Sequence, residues 1–286
     1  ASAGKLVCLP DRQADGCTAF GEKESFLSDA GQAGQGPRTE VRVIIVDCRR
    51  PDREAAGALS KLNRFLEGVR IVDLSRHLPG PLATLLLADM GAEVVKIEPP
   101  GGEELRSIGP PGPDGRSLYY HAVNAGKAAT EIDLRSEAGR ERLLSLVDGA
   151  DVVVESFRAG VMERLGVGYE VLKARKPDLI YCALRGYGQG GPRALEAGHD
   201  MNYLAHNGLL SLMAGGAPPY PPPADASAAL TAAAAILGAL RHRDRTGEGC
   251  ELDLALADAP RPLATFDLAE VSDGGEARGG HDILNG

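Results

Sequence analysis

The sequence predicts an α/β fold built on a mainly parallel sheet. Short apolar, β-branched runs at 69–74, 93–98, 151–155 and 179–184 are separated by helical patterns. The run Val152-Val153-Val154 is continuous rather than alternating, which suits a strand buried on both faces. Residues 69–98 have the length of one β-α-β unit, whose right-handed crossover makes its two strands parallel.

Residues 1–64 read differently from the rest. Positions 1–39 are rich in Gly, Ala, Asp, Gln and Ser without periodicity, so a poorly ordered extension is expected. A strand at 41–46 and a short helix at 52–65 follow, with no function attached. From Leu66 the pattern sharpens. After the strand at 69–74, a turn at 75–80 leads to Pro81 at the first helical position, and Gly91 stops that helix. The strand at 93–98 completes the unit. Its turn lacks G-x-G-x-x-G, so the dinucleotide fingerprint is absent. Positions 99–115 are a long Pro/Gly-rich loop, a kind that is often functional.

A strand at 131–134 comes next, then a helix capped by Ser136 and running through Leu146. The strand at 151–155, short helices at 160–165 and 169–175, and the strand at 179–184 lead into a turn, Gly186-Tyr187-Gly188-Gln189-Gly190-Gly191-Pro192. Asp200 then stands as the N-cap of an apolar helix over 200–213, and His199 sits at its mouth. A histidine there, beside a carboxylate and facing a glycine-rich loop, is placed for proton transfer near neutral pH. On local sequence alone, the same residues read first as an ordinary cap with a surface histidine. After a Pro-rich turn at 218–223, Asp225 is a second N-cap, opening an Ala-rich helix over 226–243. Gly247 marks its end, and 250–256 alternates like a half-buried strand. Beyond Ala259 the signal fades.

Composition excludes several classes. A net charge of −9 and a pI near 5.2 argue against a general nucleic-acid surface. No continuous run reaches the roughly 18 apolar residues of a membrane span, and no secretory signal is evident, so a cytoplasmic location is expected. The five cysteines, Cys8, Cys17, Cys48, Cys182 and Cys250, are odd in number and scattered, which fits reduced thiols. His199 and His206 lie about two helical turns apart, too far for one metal. No metal site is expected.

Several separate blocks then carry a resemblance. They are 66–74, "GPLATLLLADMGAEVVKIEPPGG", "VVVESFRAGVMERLGVGYEVL", "GYGQGGP" and "LRHRDRTGEGCELDLALADA", in that order. Together they resemble the class III CoA-transferase family (CaiB/BaiF type), and "AGHDMNY" is similar to its α-methylacyl-CoA racemase branch. The resemblance spans about 66–286. It implies a Rossmann-like large domain over 65–259, with 1–64 an unassigned extension. Residues 260–286 would begin a truncated linker to a small second domain, itself missing or reduced. It implies an acyl-CoA thioester as substrate, no cofactor beyond that coenzyme A, and an interlocked homodimer. It maps the catalytic pair onto His199 and Asp225. It maps CoA contacts onto Arg76, Leu78, Asp133, Leu134, Arg135, Phe157, Arg158, Arg164, Gly198, Asp200 and Tyr203.

The chemistry suits these residue types. Racemisation next to a thioester needs one group to remove a proton and another to return it to the opposite face, which an imidazole and a carboxylate can do in turn. N–H groups at helix starts would stabilise the enolate oxygen, and the arginines would hold CoA phosphates. The expected function is therefore an acyl-CoA racemase or epimerase acting on 2-methylacyl-CoA. The alternative is a CoA-transferase working through an Asp225 anhydride. A third reading is a truncated CoA-binding fragment without turnover.

Overall fold

The computed structural model describes residues 44–45, 64–213, 219 and 221–275. The expected extension at 1–39, the helix at 52–65 and the tail beyond 275 fall largely or wholly outside them. The strands are β1 Ile44–Ile45, β2 Arg70–Asp73, β3 Glu93–Glu98, β4 Ala128–Glu131, β5 Val152–Glu155, β6 Ile180–Arg185 and β7 Cys250–Ala255. They form one sheet in the order β1-β4-β3-β2-β5-β6-β7, with every pair parallel except β1 on β4. The helices are α1 Pro79–Asp89, α2 Leu118–Asn124, α3 Glu137–Asp148, α4 Val161–Arg164, α5 Tyr169–Arg175, α6 Asp200–His206, α7 Leu209–Leu212, α8 Pro223–Thr246 and α9 Thr265–Ser272. The α/β class and parallel sheet expected from the valine runs are thus present.

The alternation hidden in those runs appears as two cores. Val152 and Val154 face one core with Ile71, Ile180, α1 and α8. Val153 faces the other with Val72, Leu143, Leu146 and Tyr181. All three valines are 0% exposed, because helices cover both sheet faces. Truncating a fully buried residue such as Leu143 to Ala costs roughly 2–5 kcal/mol.

Helix α8 is built for close approach. Ala224, Ala228, Ala229, Ala232, Ala233, Ile236, Ala239 and Leu240 are buried at helical spacing, against α1, β6 and β7. Such small side chains bring α8 near its neighbours, and a larger residue there would overpack by about 1–3 kcal/mol. By length and composition alone α8 reaches the threshold for crossing a membrane, with mean hydropathy 1.4, contrary to the expectation that no segment does. The buried stripe is that of a core helix. Gly247, at φ 75°, ends it, and Gly249 N–H donates to the Pro177 carbonyl at 3.1 Å, beside the start of β6. With 24 residues, α8 is about 36 Å long. Its first turn therefore stands beyond the C-terminal ends of the strands.

Several boundaries differ from expectation. Helix α1 starts at Pro79, not Pro81, since a proline needs no N–H partner in the first turn. Strand β4 lies at 128–131 rather than 131–134, fixed by its register on β3, where Val95 faces Ala128. The supposed loop at 99–115 contains a 3-10 turn at Glu104–Arg106 and leads into α2, capped where Ser117 Oγ accepts the Tyr119 N–H at 3.0 Å. The expected 200–213 helix breaks at Gly208, φ 85°, into α6 and α7. Helix α9 occupies the region where the signal faded.

The strand order reverses between β2 and β5, since the chain leaves β2 toward β3 and β4 and leaves β5 toward β6 and β7. In such sheets, ligands bind in the crevice outside the strand ends at this point. The turn after β2 is held from below by buried charges. Asp73 accepts hydrogen bonds from Ser75 N–H at 2.9 Å, Thr84 Oγ1 at 2.6 Å and Lys127 Nζ at 3.1 Å. Lys96 Nζ donates to the Ser75 carbonyl at 2.9 Å and pairs with Glu103 at 3.2 Å. Burial pulls the Asp73 carboxyl upward, but the Lys127 and Lys96 ammoniums and the two hydroxyls outweigh it and hold the group at about 2. Burial pushes Lys127 down to about 8, with Asp73 resisting.

Candidate active site

Three loops meet over the strand ends. The first is the turn after β2. Its Arg76 N–H donates to Ser156 Oγ at 2.9 Å, and its guanidinium lies 5.2 Å over the Phe157 ring. His77 holds φ 63°, a left-handed backbone that costs a β-carbon residue on the order of 1 kcal/mol. Leu78 caps α1 and packs toward Leu105 and Tyr120. The second loop follows β5. There Glu155 accepts the Phe157 N–H at 2.6 Å, and Arg158 points to solvent.

The third loop is the glycine-rich turn after β6, together with the start of α6. Tyr203 is its keystone: its hydroxyl donates to the Gly198 carbonyl at 2.7 Å, and its ring meets Tyr187 edge-on at 5.4 Å. A β-carbon at Gly198 would lie 2.6 Å from that ring, and one at Gly186 2.9 Å from its hydroxyl. Only glycine fits at both places.

The two side chains mapped as the catalytic pair lie within electrostatic reach of each other, at positions that differ from those expected. His199, not Asp200, is the N-cap of α6. Its backbone is extended, and its N–H donates to Asn202 Oδ1 at 2.9 Å. Asp225 is the third residue of α8, not its cap, because the dipeptide Pro222-Pro223 starts the helix earlier. The Asp200 carboxylate turns away from its own helix to the start of α8. Its Oδ1 accepts N–H groups from Ala224 at 2.7 Å and Asp225 at 3.0 Å. Those N–H groups are therefore taken, and the expected enolate stabilisation by the start of α8 is not available.

The Asp225 carboxylate is half-buried, and no hydrogen-bond donor reaches it among the described residues. Burial, then the Asp200 charge, push it up to about 6, while His199 pulls it back. Tyr203 is pushed up to about 12 by burial and by the Asp225 charge, with Arg158 opposing. Asp225, Asp200, His199, Tyr203 and Arg158 thus share one electrostatic neighbourhood. Asp133, Leu134 and Arg135 lie elsewhere on the same edge, between β4 and α3. Asp133 Oδ1 accepts the Arg135 N–H at 3.0 Å, and Leu134 packs into the second core. Arg164, exposed on α4, sits beside Gly160. Two cavities, about 180 and 430 Å³, flank Tyr187; the larger reaches Ala228 and Thr231, one and two turns along α8 from Asp225. Among the described residues no group of three His, Cys, Asp or Glu side chains could hold a metal ion. Cys182 and Cys250 are free thiols.

Sequence reasoning missed Arg185. Buried at the end of β6, it reaches Glu155 at 3.0 Å, Asp253 at 3.0 Å and Gln189 Oε1 at 2.8 Å. It ties the loop after β5 to the glycine-rich turn. Burial pushes Glu155 up to about 7 against the pull of Arg185. A charge ending an otherwise apolar strand, immediately before a glycine-rich turn, was the available signal.

Known proteins bear on this arrangement. The profile of CoA-transferase family III matches residues 66–284. A succinyl-CoA:mesaconate CoA-transferase of Haloarcula hispanica is 41% identical over 226 residues, covering 74% of this chain and 57% of the relative. A succinyl-CoA:glutarate CoA-transferase of Mus musculus is 40% identical over 196 residues, covering 67% and 45%. A CaiB/BaiF family crystal structure from Brucella suis superposes with a TM-score of 0.71 at 37% identity, covering 75% of this chain and 59% of that one. The chain spans about half the length of the curated relatives it matches. With the parallel sheet, the strand-order reversal and the matched span in agreement, this chain belongs to CoA-transferase family III.

Proposed function

We propose that this protein transfers coenzyme A between carboxylic acids, with Asp225 as the acyl acceptor. The observation that carries this is a half-buried carboxylate in the first turn of α8, pushed up to about 6 and reached by no hydrogen-bond donor among the described residues. Such a group is ionised at neutral pH yet more nucleophilic than an exposed aspartate. The relatives named above as CoA-transferases support transfer over the racemisation expected from "AGHDMNY".

The steps balance without an added reagent. Asp225 Oδ attacks the thioester carbonyl, and the C–S bond breaks to give a mixed anhydride and CoA thiolate. The thiolate attacks the Asp225 carbonyl, releasing the first acid as carboxylate and leaving an aspartyl thioester. The second carboxylate repeats the sequence in reverse and departs as its CoA ester, restoring Asp225. Arg76 stacked on Phe157, with Arg158 beside it, offers cationic and aromatic surface for the nucleotide end of CoA. Incubation with an acyl-CoA, quenched by hydroxylamine, should leave a hydroxamate on the Asp225 peptide, read by mass spectrometry. Undiminished turnover by Asp225→Asn would end this assignment.

One observation favours a second reading, α-proton exchange. A His199 charge would act on Asp225 across the starts of α6 and α8, so an imidazole and a carboxylate lie within electrostatic reach of each other. Deuterium entering the α-position of a 2-methylacyl-CoA, and lost with His199→Ala, would support it. Deuterium-free product alongside active CoA exchange would remove it.

A further inference from the structure

We infer that Asp200 is a positioning residue for Asp225: from the first turn of α6 its carboxylate closes the start of α8 and fixes where the reactive carboxylate stands. This rests on the assignment of Asp225 as acyl acceptor. An aspartate at a helix start ordinarily satisfies N–H groups of its own helix. Here the duty is crossed between two helices far apart in sequence, since Asp200 Oδ1 accepts from both Ala224 and Asp225, at 2.7 and 3.0 Å. Proline supplies no N–H at positions 222 and 223, so these two donors are the ones α8 most needs satisfied. His199 immediately precedes Asp200. The bonds that hold Asp225 therefore also set its separation from the imidazole.

The arrangement has an electrostatic consequence. The groups facing Asp225 are Asp200 and His199 from the start of α6 and Tyr203 one turn in, with Tyr187 and Arg158 beyond Tyr203. After burial, the Asp200 charge is the largest influence raising the Asp225 carboxyl. One side chain thus sets both the place and the basicity of the other.

Two substitutions separate these roles. Asp200→Asn keeps an oxygen for the two N–H groups and removes the charge; Asp200→Ala removes both. Carbon-13 carboxyl NMR, with Asp225 identified by its loss in Asp225→Asn, should show the Asp225 midpoint in Asp200→Asn falling by about one pH unit, tenfold in its proton equilibrium. The acid limb of kcat/KM should follow it, with the melting temperature unchanged. Asp200→Ala should lower kcat about tenfold to a hundredfold with KM for acyl-CoA little altered. An undiminished kcat in Asp200→Ala would overturn the positioning role, and an Asp225 midpoint and acid limb identical in Asp200→Asn and the unaltered protein would overturn its electrostatic part. If Asp200→Ala does not fold, Asp200→Glu, which keeps the charge and moves the accepting oxygen by one methylene, takes its place, and an undiminished kcat there overturns the positioning role. The two claims fail separately: an active Asp225→Asn defeats the acyl-acceptor assignment even where kcat falls in Asp200→Ala, and an undiminished kcat in Asp200→Ala defeats the positioning role even where Asp225→Asn is dead.

Discussion

Asp73 and Asp225 are both aspartates held near the C-terminal edge of one sheet, and they have opposite fates. Asp73 is wholly buried, yet two ammoniums and two hydroxyls surround it and hold it at about 2. Asp225 is only half-buried, yet its neighbours are another carboxylate and one imidazole, and it rises to about 6. Burial raises both. The partners decide the outcome. A carboxylate whose charge is fully answered is part of the scaffold, and one whose charge is left unanswered is available for chemistry.

The largest expected effect tests the unanswered side. Asp225→Asn should lower CoA transfer about 10⁴-fold, as expected when a nucleophile is lost, while far-ultraviolet circular dichroism stays unchanged. Next comes the answered side. Asp73→Ala leaves Lys127 buried without its carboxylate partner, which should cost roughly 3–5 kcal/mol in urea unfolding. Equal tolerance of the two substitutions in stability would erase the contrast.

A smaller effect reports the sign of the Asp225 shift. A carboxyl raised in the folded state binds its proton there more tightly than when unfolded. Stability should therefore fall as pH rises from about 4 to about 6, and the deficit should persist above that. Asp225→Asn should then be more stable than the parent by roughly 1–2 kcal/mol at pH 8, allowing for partial solvation, and no more stable at pH 4. Thermal melts at the two pH values check this. Smallest is the exposed Arg175–Asp148 pair. Arg175→Ala should change stability by at most about 0.5 kcal/mol, because solvent already screens it.

Much of the scaffold was legible because burial on both faces leaves a strong mark in sequence. Val152–Val154 announced a central strand, and Gly247 announced the end of α8. What escaped depended on tertiary partners. Leu118–Asn124 is short and rich in aromatic and β-branched residues, and its helix relies on the Ser117 cap and the burial of Tyr120. His199 and Asp225 were legible as residue types. Their true places were not, because Pro222-Pro223 moved the start of α8 and Asp200 served the other helix. Arg185 carried no periodic signal, since its three partners come from β5, β7 and the following turn.

The packing of Tyr203 between Gly186 and Gly198 has a consequence for how this cleft can vary. With the phenol ring wedged against both peptides and its hydroxyl anchored to one of them, the backbone bearing the imidazole is registered by an aromatic plug and not by the short helix that follows. A methyl group added at Gly198 would displace that plug and drag His199 and the adjoining Asp200 with it, and the two bonds from Asp200 to α8 would pass the shift on to Asp225. Drift at this glycine would thus detune imidazole and carboxylate together.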